Sequence, residues 1–441
     1  MKKIIVVGCG VSGMAATMYA IKNGYNVDIY ETFNHIGGRC FSVFRKNDFI
    51  NAYNKSNINL AEDLFTVDNG QHLISGSYKY FFELLDWLGT SHLIVSKKKL
   101  EINFIDTNSG KQYLLNFSDY LKLFTTKYIS IKDKWKVFCF FKYVLRNENE
   151  LADYSVLEVC KKNKITDSIV ERLISPMVIS LMNSPIEVAP VSIFIATIKT
   201  ILSAGKQGLI LTYCEKTFAE LFLPFTDKIK KTGDNKLYLN SKVKDFFIED
   251  GICKGIILPD GTIKNADIVI STITPKDYKS ISGHTHIKEN FPTSAILSAY
   301  FWTNEKLDLK YEYNAIIGGN IDWIFDMNTE KNDESNIYQY RITVSNFTKF
   351  NENISMNTEE MIKIELKKIF KKEINIYSIY TIFQPNATSL ITNKNYKLRP
   401  SAISHINNLY LTGDWTDTKL PVCIESAAVS GYLSVKKICN I

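Results

Sequence analysis

The chain opens on an almost unbroken apolar run, Lys3-Ile4-Ile5-Val6-Val7, with β-branched side chains at four successive positions. A strand with one wet face alternates apolar and polar residues. This one does not, which predicts a strand covered on both faces within a parallel sheet. The period then changes: Met14-Ala15-Ala16-Thr17-Met18-Tyr19-Ala20-Ile21 consists of good helix formers, and Gly24 supplies the stop. Val27-Asp28-Ile29-Tyr30-Glu31 predicts a second strand, so the chain begins as a strand-helix-strand unit of α/β type.

Sheet-like patterning returns between Lys236 and Thr274. Leu237 to Val243 leads into Gly251 to Leu258, a Pro259-Asp260-Gly261 turn and Ala266 to Thr272, which predicts a hairpin followed by a return strand. A last strand and helix follow from residue 400. Between these pieces, residues 91–205 become helical after a β-like start, and 290–385 mix strands with a charged helix near Thr358 to Lys371. The predicted organisation is therefore interleaved. A Rossmann-type domain is assembled from 1–90, 206–285 and 390–441, and an α+β substrate domain from 91–205 and 286–389.

Composition agrees with two domains: 441 residues at 45% hydrophobic content are enough for two cores. No stretch approaches the roughly 20 uninterrupted apolar residues of a spanning helix. The richest, Val191 to Leu202, is interrupted by Lys199. The N-terminus enters the first strand directly, so no cleavable signal is expected. Eight cysteines at 9, 40, 139, 160, 214, 253, 423 and 439 form no C-x-x-C pair, as expected of reduced thiols in a cytoplasmic protein without a metal site. His284 and His286, the one histidine pair, are expected to be solvated. The net charge of +7 is spread over many lysines and permits attraction to an anionic membrane surface. With no zinc spacing and no RNA-binding aromatic signature, no nucleic-acid partner is expected.

The chemistry sits where the periods change. Gly8, Gly10 and Gly13 form G-x-G-x-x-G directly between strand and helix, enclosing Val11 and Ser12. Missing side chains there allow a tight turn and close backbone approach to a pyrophosphate, which the positive helix N-terminus attracts. Glu31, at the spacing of roughly twenty residues expected of a ribose-binding carboxylate, should accept from adenosine hydroxyls and repel a 2'-phosphate. Gly37-Gly38-Arg39 adds backbone amides and a guanidinium for the pyrophosphate. Dinucleotide binding, and not NADP, follows.

With Gly413-Asp414 near the C-terminus, these motifs resemble the FAD-dependent amine oxidase and carotenoid desaturase superfamily. Asp68-Asn69-Gly70-Gln71-His72, the Leu84 to Gly89 stretch and Leu409 to Pro421 resemble its squalene-associated branch, the hydroxysqualene dehydroxylases; Leu181 to Pro185 agrees more weakly. The chain departs from that branch at Val422-Cys423-Ile424-Glu425-Ser426-Ala427, where Ala-Thr-Ile-Glu-Gly-Ala is usual, and at Lys419, where Gly is common. The resemblance implies an amine oxidase-like fold with FAD as cofactor. It also implies that Asp414 accepts from a ribityl hydroxyl while the Gly413 backbone approaches the diphosphate. Pro421 to Glu425, Ile424 included, would start a helix whose N–H groups aim at the flavin pyrimidine, and the Val243 backbone would pack toward the adenine.

The implied activity is reductive removal of hydroxyl from a polyprenoid allylic alcohol. Electrons reach FAD from a separate donor, since no second complete nucleotide fingerprint is present. Asn69, Gly70, Gln71 and His72 are expected at the reactive side of the flavin, with His72 either the acid or a histidine hydrogen-bonded in a domain interface. Trp135 to Arg146 combines aromatics with flanking basic residues, which suits a helix dipping into one leaflet but equally a core helix. Phe194, Phe218, Phe222 and Phe225 could line a tunnel, although interior packing is the stronger expectation. A phytoene-type desaturase or amine oxidase, and a noncatalytic prenyl-binding escort like the Rab GDP dissociation inhibitors, are the alternative functions.

Overall fold

Five parallel strands in the order Lys236–Tyr238, Asn26–Tyr30, Lys3–Val7, Ile268–Ser271 and Leu409–Leu411 form the sheet on which the glycine motif sits. They belong to a computed structural model that describes residues 2–44, 66–70, 73–96, 99–119, 125–214, 216–281, 291–328, 337–347 and 358–440. The central strand is covered twice, as its unbroken apolar run requires. Ile4 and Val6 pack with Met14, Ala15 and Met18 of the helix Val11–Lys22 and with Ala428 and Val435 of the terminal helix Ile424–Cys439. Ile5 and Val7 pack with Phe246, Cys253 and Ile256 of an antiparallel meander on the opposite face.

That meander, Asp245–Glu249, Ile252–Ile257 and Ile263–Asn265, modifies the expected hairpin. Lys236–Tyr238 pairs instead with Asn26–Tyr30, and the Glu31 N–H donates to the Tyr238 carbonyl at 2.9 Å. Asn240, with φ of 51°, then turns the chain away, so residues 239–244 are not strand. The tight turn is Asp250-Gly251, both at positive φ, the geometry that matches the twist of a two-residue hairpin. The return strand, Ile268–Ser271, rejoins the parallel sheet beside Lys3–Val7.

Among the described residues the second sheet has seven strands, ordered Ile376–Ser389, Thr293–Thr303, Tyr338–Ser345, Trp323–Asp326, Tyr313–Ile317, Glu101–Asp106 and Gln112–Asn116. Its pairs are antiparallel except Tyr313–Ile317 with Glu101–Asp106. The charged helix Thr358–Phe370 covers one face through Met361, Ile362, Leu366 and Ile369. A separate helical core gathers Phe140, Val144, Ile174 and Phe194 from Ile131–Arg146, Val191–Ser203 and neighbouring helices.

The four candidate tunnel phenylalanines are all interior packing. Phe218, Phe222 and Phe225 lie in the core under the parallel sheet, and Phe194 is in the helical core. The aromatics of Ile131–Arg146 differ in burial: Phe140 is buried, as expected of a core helix, while Trp135 and Phe138 are exposed. Among the described residues, no helix is long and apolar enough to cross a membrane. All eight cysteines are free, and no group of metal-ligating side chains occurs among the described residues; His284 and His286 lie outside them.

The first and last helices meet at closest approach on Gly431. A Cβ added there would stand 2.6 Å from the Ala16 nitrogen and 2.8 Å from the Ser12 carbonyl oxygen, both backbone atoms of the facing helix. Gly431→Ala should therefore lower unfolding stability by about 2 kcal/mol, although alanine is the better helix former. The denaturant midpoint of the purified variant measures it.

Candidate active site

The glycine turn and the Gly37-Gly38 turn lie backbone on backbone. Gly10 and Gly37 form a parallel bridge, and the Gly37 N–H donates to the Cys9 carbonyl at 2.9 Å. Gly13 must be glycine, because a Cβ would fall 2.2 Å from the Gly8 carbonyl oxygen. The helix Val11–Lys22 begins with Gly10 as N-cap, a residue with no side chain to cap it. Val11, Ser12 and Gly13 form its first turn, whose N–H groups have no partner within the helix and match a diphosphate.

Glu31 stands one residue beyond its strand and is 6% exposed. Its Oε2 accepts from the Cys9 N–H at 2.7 Å and its Oε1 from the Phe33 N–H at 3.0 Å, so the carboxylate is fixed against the glycine turn. The Glu31 carbonyl accepts from the Ser241 N–H at 2.7 Å, which brings the segment holding Val243 alongside; the Val243 side chain is buried in the core on the meander side of the sheet. These residues fit an adenosine diphosphate: Glu31 for the ribose, the helix N–H groups for the phosphates.

Arg39 joins the two ends of the chain. Its Nη2 donates to Asp414 Oδ2 at 2.5 Å and its Nη1 to the Ala387 carbonyl at 2.7 Å, with 43% of the side chain still accessible. Asp414, expected to serve a ribityl hydroxyl, thus has one oxygen already committed to Arg39. Asn69, expected to face the flavin, braces the same loop: its Nδ2 donates to the Arg39 carbonyl at 2.7 Å and its N–H to the Phe41 carbonyl at 2.8 Å. The Asp68 carbonyl accepts from the Tyr300 hydroxyl at 2.5 Å, which ties this segment to the larger sheet. Gly70 follows at φ of 91°. Gln71 and His72 lie outside the described residues.

At the C-terminal end, the Gly413 N–H donates to Ser430 Oγ at 2.9 Å, and Thr412 Oγ1 donates to the Ser430 carbonyl at 2.6 Å. The terminal helix begins at Ile424, not at Pro421. Cys423 is its N-cap, its sulfur accepting from the Ser426 N–H at 3.4 Å, so Pro421 and Val422 lie in the turn before it. The departures from the usual branch pattern have physical consequences. Lys419 is held at φ of 62°, a conformation natural to the more usual Gly and costing a side chain about 1 kcal/mol. Ser426, where the branch usually has Gly, brings a hydroxyl that lies 2.6 Å from Thr418 Oγ1 and donates to the Asp414 carbonyl at 3.3 Å.

Three contributors play parts that the sequence did not indicate. Arg399, 4% exposed, donates to the carbonyls of Asp414 at 2.8 Å and Leu420 at 2.7 Å and so shapes the 414–420 loop. Tyr78 shares a hydrogen bond with Cys423, whose thiol burial pushes up to about 11. Glu425 caps a distant helix, Lys79–Leu88, accepting from the Tyr80 N–H at 3.0 Å and the Phe81 N–H at 2.9 Å. A cavity opens at this junction, with apolar walls from Leu181, Ile201, Leu420 and Pro421 and polar ones from Tyr78 and Glu425.

Burial, opposed by the two backbone donors, pushes the Glu425 carboxyl up from 4.5 to about 7. A carboxyl raised on folding binds its proton in the native state while the unfolded chain has released it. Stability therefore falls as pH rises from 4.5 to about 7, with a loss of about 3 kcal/mol once both states are ionised. Melting curves of wild type and Glu425→Gln across this window should converge toward acid and diverge toward neutral pH, the wild type losing stability relative to the variant.

The chain is similar to several known proteins. The chain is 24% identical to the hydroxysqualene dehydroxylase of Zymomonas mobilis, covering 97% of this chain and 96% of that protein. It is 21% identical to the 15-cis-phytoene desaturase of Solanum lycopersicum, covering 99% of this chain and 77% of that one. An oxidoreductase from Methanosarcina mazei shares the fold at a TM-score of 0.73 and 17% identity, over 99% of this chain and 100% of its own. The family model of the flavin containing amine oxidoreductases matches residues 11–439. The chain belongs to that family and is an FAD-dependent oxidoreductase.

Proposed function

We propose that this oxidoreductase replaces the hydroxyl of hydroxysqualene with hydrogen, giving squalene and water. The observation that carries the reading is the end-to-end match with the Zymomonas dehydroxylase, whereas part of the tomato desaturase is left unmatched. When bound and reduced, FAD would supply a hydride to the carbon, replacing the electron pair that leaves with the hydroxyl. The chain has to do the rest: protonate that hydroxyl so that it leaves as water, hold the hydrocarbon in register, and keep bulk water from the carbon left electron-poor.

The cavity beside Pro421 has a volume of about 40 Å³, room for a small part of such a substrate and not for its length. Leu181, Ile201 and Leu420 offer hydrocarbon contact, while the Tyr78 hydroxyl gives the same cavity a polar wall. For the first task His72 is the candidate acid, because an imidazole releases a proton near neutral pH. The intact glycine cradle and the Arg39–Asp414 junction favour an enzyme over a noncatalytic prenyl-binding escort.

The test is anaerobic. Photoreduced holoenzyme given hydroxysqualene should yield squalene on extraction and mass analysis, and oxidised holoenzyme given phytoene should yield no further double bond. Desaturated phytoene with no squalene would overturn the proposal in favour of the desaturase. His72→Ala should slow squalene formation by about 10²- to 10⁴-fold; unchanged turnover removes the acid assignment.

A further inference from the structure

The helix Ile131–Arg146 has two unlike faces. The inner one is accounted for, since Phe140 and Val144 are 1% exposed and belong to the helical core. On the outer one Ile131, Trp135 and Phe138, at positions i, i+4 and i+7, are 80%, 63% and 50% exposed. The Trp135 and Phe138 rings stack on each other, with centroids 5.6 Å apart. Single exposed apolar side chains need no explanation, but a contiguous stripe rimmed by polar groups marks an interaction surface.

The rim indicates the partner. Five basic residues fall within the helix, at 132, 134, 136, 142 and 146, against one acidic residue, Asp133. Asp133 is engaged at the helix start, where the Ser130 hydroxyl donates to it at 2.8 Å. Lys134 is buried, donating to the Thr126 carbonyl at 2.5 Å, so the rim consists of Lys132, Lys136, Lys142 and Arg146. Apolar and aromatic side chains on one stripe, flanked by cations with long aliphatic stems, match the boundary of a bilayer: rings and alkyl groups at acyl depth, ammonium and guanidinium groups at the phosphates. At 16 residues the helix is too short to span, so it would lie in the surface plane.

We propose that Ile131, Trp135 and Phe138 insert into an anionic lipid bilayer and that Lys132, Lys136, Lys142 and Arg146 hold the phosphate headgroups around them. This docking stands independently of the proposed reaction, and its test requires neither substrate nor turnover.

Full-length holoenzyme is floated with vesicles of phosphatidylglycerol mixed with phosphatidylcholine and, in parallel, with phosphatidylcholine alone. The protein should float with the anionic vesicles, less so as salt is raised. Trp135→Ser/Phe138→Ser should bind about tenfold more weakly or worse while keeping the parent unfolding midpoint, because both side chains are already exposed. Lys132→Glu/Lys136→Glu should lose the preference for anionic lipid. No flotation with the anionic vesicles, or flotation of the aromatic double variant equal to the parent, would overturn the proposal. So would sedimentation of the parent as a dimer that the aromatic variant dissociates, which would make this face an interface between copies.

Discussion

The close approach of the first and last helices is the constraint on which the rest depends. Gly431 lets the backbone of the terminal helix settle against Ser12 and Ala16, with no side chain between. The uncapped N-terminus of Val11–Lys22 and the turn before Ile424 are thereby held on one side of the parallel sheet. A helix displaced by one methyl group would carry Thr412, Gly413 and Asp414 with it, because Ser430 of that helix holds Thr412 and Gly413 directly.

Around this contact, loops from distant parts of the chain are fastened by charged groups that are only partly desolvated or fully satisfied. The Arg39–Asp414 pair keeps the guanidinium 43% accessible while the carboxylate is buried, an arrangement that avoids the full cost of burying an ion pair. Arg399 is buried more deeply, but it meets a row of carbonyl oxygens and the Thr418 hydroxyl, so its donors are used. The result is a rigid frame at both ends of the cofactor region, with Asn69 and Tyr300 bracing its third side.

What was legible in the sequence was local. The strand, the glycine turn, the helix and Glu31 lie within one strand-helix-strand unit, and each is dictated by backbone geometry that nearby residue types reveal. Sequence pattern also marked a helix at 135–146, but not which aromatics turn inward; that depends on the helices at 156–195 that cover one side. The Arg39–Asp414 pair, the Glu425 cap on Lys79–Leu88 and the Arg399 clamp escaped because each joins segments with no shared periodicity; the first two lie 375 and 345 residues apart. The terminal helix began later than expected because Cys423 supplies the cap, leaving Pro421 in the preceding turn. Lys236–Tyr238 went to the parallel sheet because its partner there, Asn26–Tyr30, is invisible to local turn chemistry.

The order of the parallel strands also governs how this polypeptide matures. The strand made first, Lys3–Val7, lies in the middle, and its neighbour on one side, Ile268–Ser271, is synthesised hundreds of residues later. Until the ribosome has passed that point, a β-branched ribbon designed for burial has an unpaired edge, and the edge strand Leu409–Leu411 arrives later still. Closing such long loops is slow and leaves sticky intermediates. The parallel sheet therefore cannot be completed until the segment carrying Leu409–Leu411 has been made, and the junction of Arg39 with Asp414 forms no earlier than that.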